Sequence, residues 1–294
     1  MKVSVKVPAT SANLGPGYDC LGLALTVSGR FVFESSDRFE ITGCPEEFQN
    51  ESNLVWIGFK RVFDIAAAPV PTVHIHIESE IPLARGLGSS STCVTAGVLA
   101  ANEFLGKRYS EDELFQILNE LEGHPDNAAA ALYGSLTAAF MHGTEAVAIR
   151  YDTDPRWHFV AIVPDFEVST HEARKLLKPE VPLKDAVFNL SHTVAMVRAL
   201  ETGDAKLLRA ACEDRLHQPL RATLIPQFAD VRERVYALGA DAFVISGSGS
   251  TLLAVTASEE VAGRIVDELS RAYPAFRVLS LKADRHGAEI STEC

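Results

Sequence analysis

Long apolar runs are missing from this chain. Across 294 residues none approaches the roughly 18–20 needed for a membrane-spanning helix. The opening stretch, Met1–Thr10, alternates like a strand and lacks the apolar block of a signal peptide, so the expected location is cytoplasmic. Cysteine is scarce. Cys20, Cys44, Cys93, Cys212 and Cys294 are odd in number, scattered, and without a Cys-x-x-Cys pair. That argues against a disulfide framework or a zinc cage and for reduced thiols. Internal repeats, low-complexity tracts and long linkers are absent too. Positive charge is in deficit, with 27 Lys and Arg against 39 Asp and Glu, a formal net charge of −12. An acidic surface repels phosphodiester backbones, so neither nucleic acid nor membrane is an expected partner. One phosphorylated ligand in a local site is still compatible with that charge.

What is present is globular material. Apolar residues make up 47% and charged residues 22%, and the length suits two compact domains. Lys2–Val7 and Phe31–Ser35 alternate as strands, and Val73, Ile75 and Ile77 alternate with His74 and His76. The two histidines share a face. With no third ligand indicated, a solvated strand face explains them better than a metal site. A helix is expected over Ser91–Leu105, stopped by Gly106. Ser110 and Glu113 form a capping box for the next helix, with Leu114, Ile117, Leu118 and Leu121 on one stripe and Gly123 at its end.

The second half reads as strand Phe159–Val163, then helical patterns at Ser169–Leu177, Asp185–Leu200, Ala205–Arg215 and Pro226–Leu238. Strands Ala242–Ser246 and Leu252–Thr256, helix Glu259–Arg271 and strand Arg277–Leu281 follow. Setting the extra helices aside, the order is β-α-β-β-α-β, the split ferredoxin-like arrangement. The expected class is α+β. An N-terminal α/β domain would span residues 1–153 and a ferredoxin-like domain residues 154–294, divided where Asp, Pro and Thr cluster at Thr153–Arg156.

Three glycine-rich loops stand out. Ile81 to Ser91 follows a strand and opens a helix, and Gly86 and Gly88 allow close backbone approach to a ligand. A helix start presents unpaired N–H groups and positive potential, three serines add hydroxyls, and Arg85 adds charge at the rim. The loop is neither a Walker A sequence nor a dinucleotide fingerprint. Composition alone leaves an anion site and a bland turn equally open. Pro8–Asp19 and Ser246–Thr251 are the other two loops, each readable alone as an ordinary turn. Their coincidence favours a shared phosphate or substrate site.

Other chemistries find little support. No Gly-x-Ser-x-Gly elbow is present, and His171-Glu172 lacks the second histidine of a zinc protease helix. Nothing singles out a glycosidase carboxylate pair. Glu122 does stand out, at a helix end just before Gly123-His124-Pro125-Asp126-Asn127. Such a carboxylate could join a serine hydroxyl around Mg²⁺, or be a solvated helix-end group.

In order and spacing the three loops resemble the motifs of the GHMP kinase family, over nearly the whole chain. Pro8–Asp19 is similar to its first motif, Pro82–Ser91 to its ATP-binding second and Ser246–Thr251 to its third. Within the family the branch that phosphorylates homoserine matches best, in Pro8–Asp19 and in Glu122–Asn127. The resemblance implies the two-domain GHMP kinase fold, ATP and Mg²⁺ as cofactors and homoserine as substrate; a homodimer is compatible with it, but the sequence does not give the oligomeric state. It places Ser90 and Glu122 as Mg²⁺ ligands. Pro82, Leu83, Ala84, Arg85, Gly86, Leu87, Gly88, Ser89, Ser90, Ser91 and Thr92 would wrap the phosphates, with Asn53 near the base. Asn13, Asp19, His124, Asp126, Asn127, Thr170, Arg174, Arg221, Gly247 and Gly249 would face homoserine.

The chemistry is coherent. The arginines suit a carboxylate, and Asp19 with Asn13 suits an ammonium. Asp126 and Asn127 are the catalytic candidates; Asp126 would take the hydroxyl proton, unless positioning suffices. Two departures concern turn rigidity: Ser250 and Ala130 stand where the family usually carries proline. Another small alcohol as substrate, or a non-catalytic ligand-binding member of the fold, are the alternatives. A substrate panel separates the first, and intact Ser90 and Glu122 argue against the second.

Overall fold

The computed structural model describes residues 1–293; Cys294 lies outside the described residues. Strand β1 (Lys2–Ala12) pairs antiparallel with the long β2 (Leu21–Ser35), the two joined by the first glycine-rich loop. β3 (Glu40–Thr42) lies parallel to β4 (Val73–Ser79), which pairs with the far half of β2. Helix α1 (Leu54–Ala66) crosses between them. Then come α2 (Ser89–Phe104), α3 (Glu111–Glu122), α4 (Pro125–Tyr133) and the hairpin β5 (Leu136–His142)–β6 (Glu145–Tyr151), whose β5 pairs with the near end of β2. The helices pack on the sheet over a core that includes Phe31, Phe33, Phe59, Val94 and Leu118.

β7 (His158–Val163) opens a second sheet. α5 (Thr170–Lys175), α6 (Leu183–Thr202), α7 (Ala205–Ala211), α8 (Gln218–Arg221) and α9 (Phe228–Ala237) precede β8 (Ala242–Ile245) and β9 (Leu252–Thr256), followed by α10 (Glu259–Ala272) and β10 (Arg277–Leu281). The sheet order is β10-β7-β9-β8, all antiparallel, the order the split βαβ arrangement requires. The α+β class and the ferredoxin-like second half are thus as expected from sequence. The last strand, β11 (Glu289–Glu293), returns to pair with β1 in the first sheet, so a division at 153/154 leaves one strand on the far side.

The two halves share a buried core. Leu14, Leu21, Leu23 and Leu87 from the first pack with Trp157, Phe159, Val244 and Leu253 from the second. Each such side chain contributes about 1.5–3 kcal/mol on burial, enough to hold the loops between the sheets in fixed relation.

Two local outcomes differ from expectation. Helix α2 begins two residues early, at Ser89, because Gly88 takes a left-handed conformation (φ 66°) and serves as its N-cap. The helix expected over Ala205–Arg215 stops at Ala211 because Asp214 organises the next turn. Its carboxylate accepts from the amides of Leu216, His217 and Gln218 and from Asn189 Nδ2, at 2.6–3.1 Å. The Ser110–Glu113 capping box and the Gly123 stop are present as read.

Candidate active site

The three glycine-rich loops meet. Thr10 N donates to Leu87 O (3.1 Å), Gly247 N to Ala12 O (3.0 Å) and Thr251 N to Arg85 O (3.1 Å). Ser246 Oγ donates to Gly86 O (2.6 Å) and shares a hydrogen bond with Ser11 Oγ (2.8 Å). Buried hydrogen bonds of this kind contribute about 1 kcal/mol each and leave a costly orphan when broken, so the loops are mutually fixed. Two glycines are required by space as well as by backbone angle. A Cβ on Gly88 would collide with Thr10 Oγ1, and one on Gly86 with the carbonyls of Ser246 and Gly249.

Around this junction lies a cleft of about 630 Å³, within the usual range for small-molecule sites. The mouth of α2 opens into it through Gly86, Gly88, Ser89, Ser90, Ser91 and Thr92. The first amides of a helix have no intrahelical partner and carry partial positive charge, which suits an anion. Opposite them, at the end of α3, Glu122 accepts from Ser90 Oγ (3.1 Å) and Ser91 Oγ (2.5 Å). Burial pushes its carboxyl above the usual range, against the pull of these two hydroxyls and of His124. One wall is apolar, formed by Phe48, Leu54, Ile57 and Ile77.

Deeper in the cleft is a polar cluster. Asp126, 2% exposed in the first turn of α4, has Oδ1 taken up by His124 Nδ1 and by Asn127 N, both at 2.8 Å. That bond raises the His124 pKa, with burial opposing it. Asn127 Oδ1 accepts from Thr10 Oγ1 at 2.6 Å. Asn13 sits at φ 71°, donating to Gly247 O (2.8 Å) and accepting from Asp19 N (3.0 Å). Thr170 Oγ1 lies 3.2 Å from Ser248 Oγ.

The two arginines differ. Arg174 makes a two-pronged pair with Asp19 (2.8 and 2.9 Å) and reaches Tyr18 Oη (3.1 Å). Burial works against its charge, but Asp19 more than offsets this and raises its pKa. Arg221, only 2% exposed, has no acidic group within ion-pair distance among the described residues. It donates to Gly247 O (2.9 Å), its Nε has no partner, and burial lowers its pKa.

Most residues marked in the sequence converge here: Asn13, Asp19, Asn53, Leu83, Ala84, Gly86, Gly88, Ser89 to Thr92, Glu122, His124, Asp126, Asn127, Thr170, Arg174, Arg221 and Gly247 all line the cleft. Some do not fit their expected parts. Arg85 turns away, bonding Pro164 O and Asp165 O and pairing with Glu167, so it joins the two halves. Pro82 lines a separate outer groove with it, and Leu87 is wholly buried in core. Gly249 packs on Ile225 and Ile245 beside the cleft. Asn53 is the N-cap of α1, accepting from Val55 N (3.0 Å) and donating to Phe48 O (2.8 Å), so its side chain is already partnered. Asp19 and Arg174 pair with each other, an arrangement hidden by a sequence separation of 155. Sequence reasoning missed Thr10, Tyr18, His217 and the direct bond of Ser91 to Glu122. Thr10 and Tyr18 lie inside a motif loop, and His217 opens the segment that carries Arg221, so these three carried some signal.

Loops that meet at an open helix mouth suited to an anion, a carboxylate set against serines and an adjoining pocket with a buried cation fit a small-molecule phosphotransferase. The profiles of the GHMP kinases N terminal domain and the GHMP kinases C terminal domain match residues 53–135 and 196–275, and the chain belongs to the GHMP kinase family. A homoserine kinase of Clostridium beijerinckii is 41% identical and one of Clostridium botulinum 40%, each over 98% of both chains. The homoserine kinase of Cytophaga hutchinsonii has a structure matching at TM-score 0.89 and 28% identity, covering 99% of this chain and 97% of its own. These relatives place the chain in the homoserine kinase branch. It is a kinase, and the family's phosphoryl donor is ATP.

Proposed function

We propose that the chain transfers the γ-phosphoryl group of ATP to the side-chain hydroxyl of L-homoserine, giving O-phospho-L-homoserine. The observation that carries the substrate reading is Arg221, a buried guanidinium facing the cleft without a carboxylate partner. A substrate carboxylate supplies the missing anion, in the planar geometry guanidinium favours. Asp126, whose Oδ2 accepts no hydrogen bond from the described residues, is placed to receive the hydroxyl proton as the oxygen attacks phosphorus. Asn127, held by Thr10, helps shape the floor beneath the substrate.

The phosphates would lie on the amides at the mouth of α2. Among the described residues no three His, Cys, Asp or Glu group into a metal site. One carboxylate beside two hydroxyls nevertheless fits Mg²⁺, which usually completes its octahedron with phosphate oxygens and water. Bound there by Glu122 and Ser90, Mg²⁺ would neutralise phosphate charge. The cytoplasm is the proposed location, on the likeness to homoserine kinases. No helix among the described residues is long and apolar enough to cross a membrane. A homodimer belongs to the same proposal, with Leu183, Val187, Leu190 and Val194 of α6, 55–80% exposed, as the stripe it would cover.

Coupled ATP consumption with homoserine, threonine, serine, mevalonate and 3-aminopropan-1-ol tests the reading. Homoserine is expected to exceed its decarboxylated analogue by about 10²-fold or more in kcat/KM, the size of losing one buried charge contact. Preference for mevalonate would identify another alcohol kinase. ATP binding without transfer to any acceptor would mean a non-catalytic member of the fold.

A further inference from the structure

We propose that His217 is a positioning residue for substrate binding: in its neutral form it bridges the first glycine loop to Arg221 and fixes the direction in which that guanidinium faces the cleft. The proposal rests on the reading of Arg221 as the carboxylate-binding group.

Both neighbours of the ring dictate its protonation. His217 is fully buried, with Nε2 2.7 Å from Gly15 O. A carbonyl only accepts, so Nε2 carries the proton. Nδ1 faces Arg221 NH1 at 3.5 Å, and a guanidinium only donates, so Nδ1 must present a lone pair. The 3.5 Å separation is long for a hydrogen bond, but it places the guanidinium on the accepting side of the ring. His217 is the N-cap residue of α8 and Arg221 its last residue, four positions on. Arg221 NH1 also donates to Gly247 O in the third loop. A chain thus runs from Gly15 through His217 and Arg221 to Gly247, with the guanidinium in the middle. Gly15 itself takes a left-handed conformation with no room for a side chain, since a Cβ there would collide with Cys212 O.

Protonating Nδ1 would set an N–H against an N–H and a second buried cation against Arg221. The charged and titratable groups facing the ring are Asp214, whose Oδ2 is 3.8 Å from Nε2, Arg221, Asp19 and the Tyr18 ring at 5.3 Å between centroids. Asp214 offers little relief, because its oxygens already accept from three amides and Asn189. Burial first, and Arg221 in addition, lower the His217 pKa, with Asp214 opposing. The neutral bridge therefore persists at neutral pH and breaks only on the acid side of the ordinary histidine range.

The test is steady-state kinetics on wild type and His217→Gln between about pH 5 and 8. Glutamine keeps a donor for Gly15 O and does not titrate. Wild-type KM for homoserine is expected to hold down through the ordinary histidine range, because the ring stays neutral there, and the glutamine variant, with no ring nitrogen facing Arg221, is expected to raise it about threefold or more while KM for ATP holds. His124, in the same cleft, titrates in both proteins, so the difference between profiles isolates His217. His217→Leu is expected to raise KM for homoserine tenfold or more and to leave kcat/KM for 3-aminopropan-1-ol within about twofold. Equal KM for homoserine in wild type and glutamine variant across that range, or equal losses on both acceptors in the leucine variant, overturn the proposal in favour of a purely structural histidine. The wild-type comparison stands even if the leucine variant fails to fold. Arg221→Lys separates the two layers: unchanged KM for homoserine there refutes the carboxylate reading itself, whereas a raised KM with silent His217 variants refutes only the positioning role.

Discussion

Replacing Glu122 by glutamine is expected to lower kcat by about 10²–10³-fold, the usual cost of removing one charge-stabilising group from a reaction centre. Glutamine is nearly isosteric: its oxygen still accepts from one of the two serines, and its NH2 can donate to the other hydroxyl oxygen once that hydroxyl turns, so the shape is kept while the charge is lost. Stability should move the other way. Burial holds the Glu122 pKa above its unfolded value, so the ionised carboxylate opposes folding. That penalty is fully present above the folded pKa and fades as pH falls through it toward the unfolded pKa. At neutral pH, in the absence of metal and nucleotide, the glutamine variant should therefore melt no lower than wild type. Kinetics and thermal unfolding on one preparation check both; unchanged kcat would remove Glu122 from the phosphate end of the cleft.

The second large effect belongs to Arg221. Arg221→Lys is expected to raise KM for homoserine by about 10–10²-fold with little change in KM for ATP, because a point charge replaces a planar fork in a buried setting. Activity on 3-aminopropan-1-ol, which has no carboxylate, should hardly change. The same substitution at Arg174 should do less. Arg174 already has an anion in Asp19, and the pair is about one-third exposed, where ion pairs contribute roughly 0–1 kcal/mol. Equal losses at both positions would mean that the carboxylate is shared between them.

These contrasts mark the limits of the sequence. Several local signals were legible. Ser110 and Glu113 cap α3 as their spacing demands, Gly123 stops it, and the second sheet includes the short runs Phe159–Val163 and Leu252–Thr256. The three loops were legible as motifs, and their meeting follows from buried bonds such as Ser246 to Gly86 that no local pattern encodes. Arg85 and Arg174 show the reverse. A charge in a motif says nothing of its direction, and both found partners far along the chain, at Glu167 and Asp19. Helix α1 was missed although its pattern is amphipathic, because Asn53 was read for chemistry rather than as an N-cap. β11 left no apolar alternation to read, since all five of its residues are exposed.

The central claim is that the amides from Gly86 to Ser91, at the mouth of α2, hold the triphosphate across from Glu122. A crystal structure with Mg²⁺, a non-hydrolysable ATP analogue and homoserine tests it most directly. The triphosphate is expected within hydrogen-bonding distance of those amides, with the homoserine carboxylate against Arg221. A triphosphate bound elsewhere, with that segment empty, would contradict it.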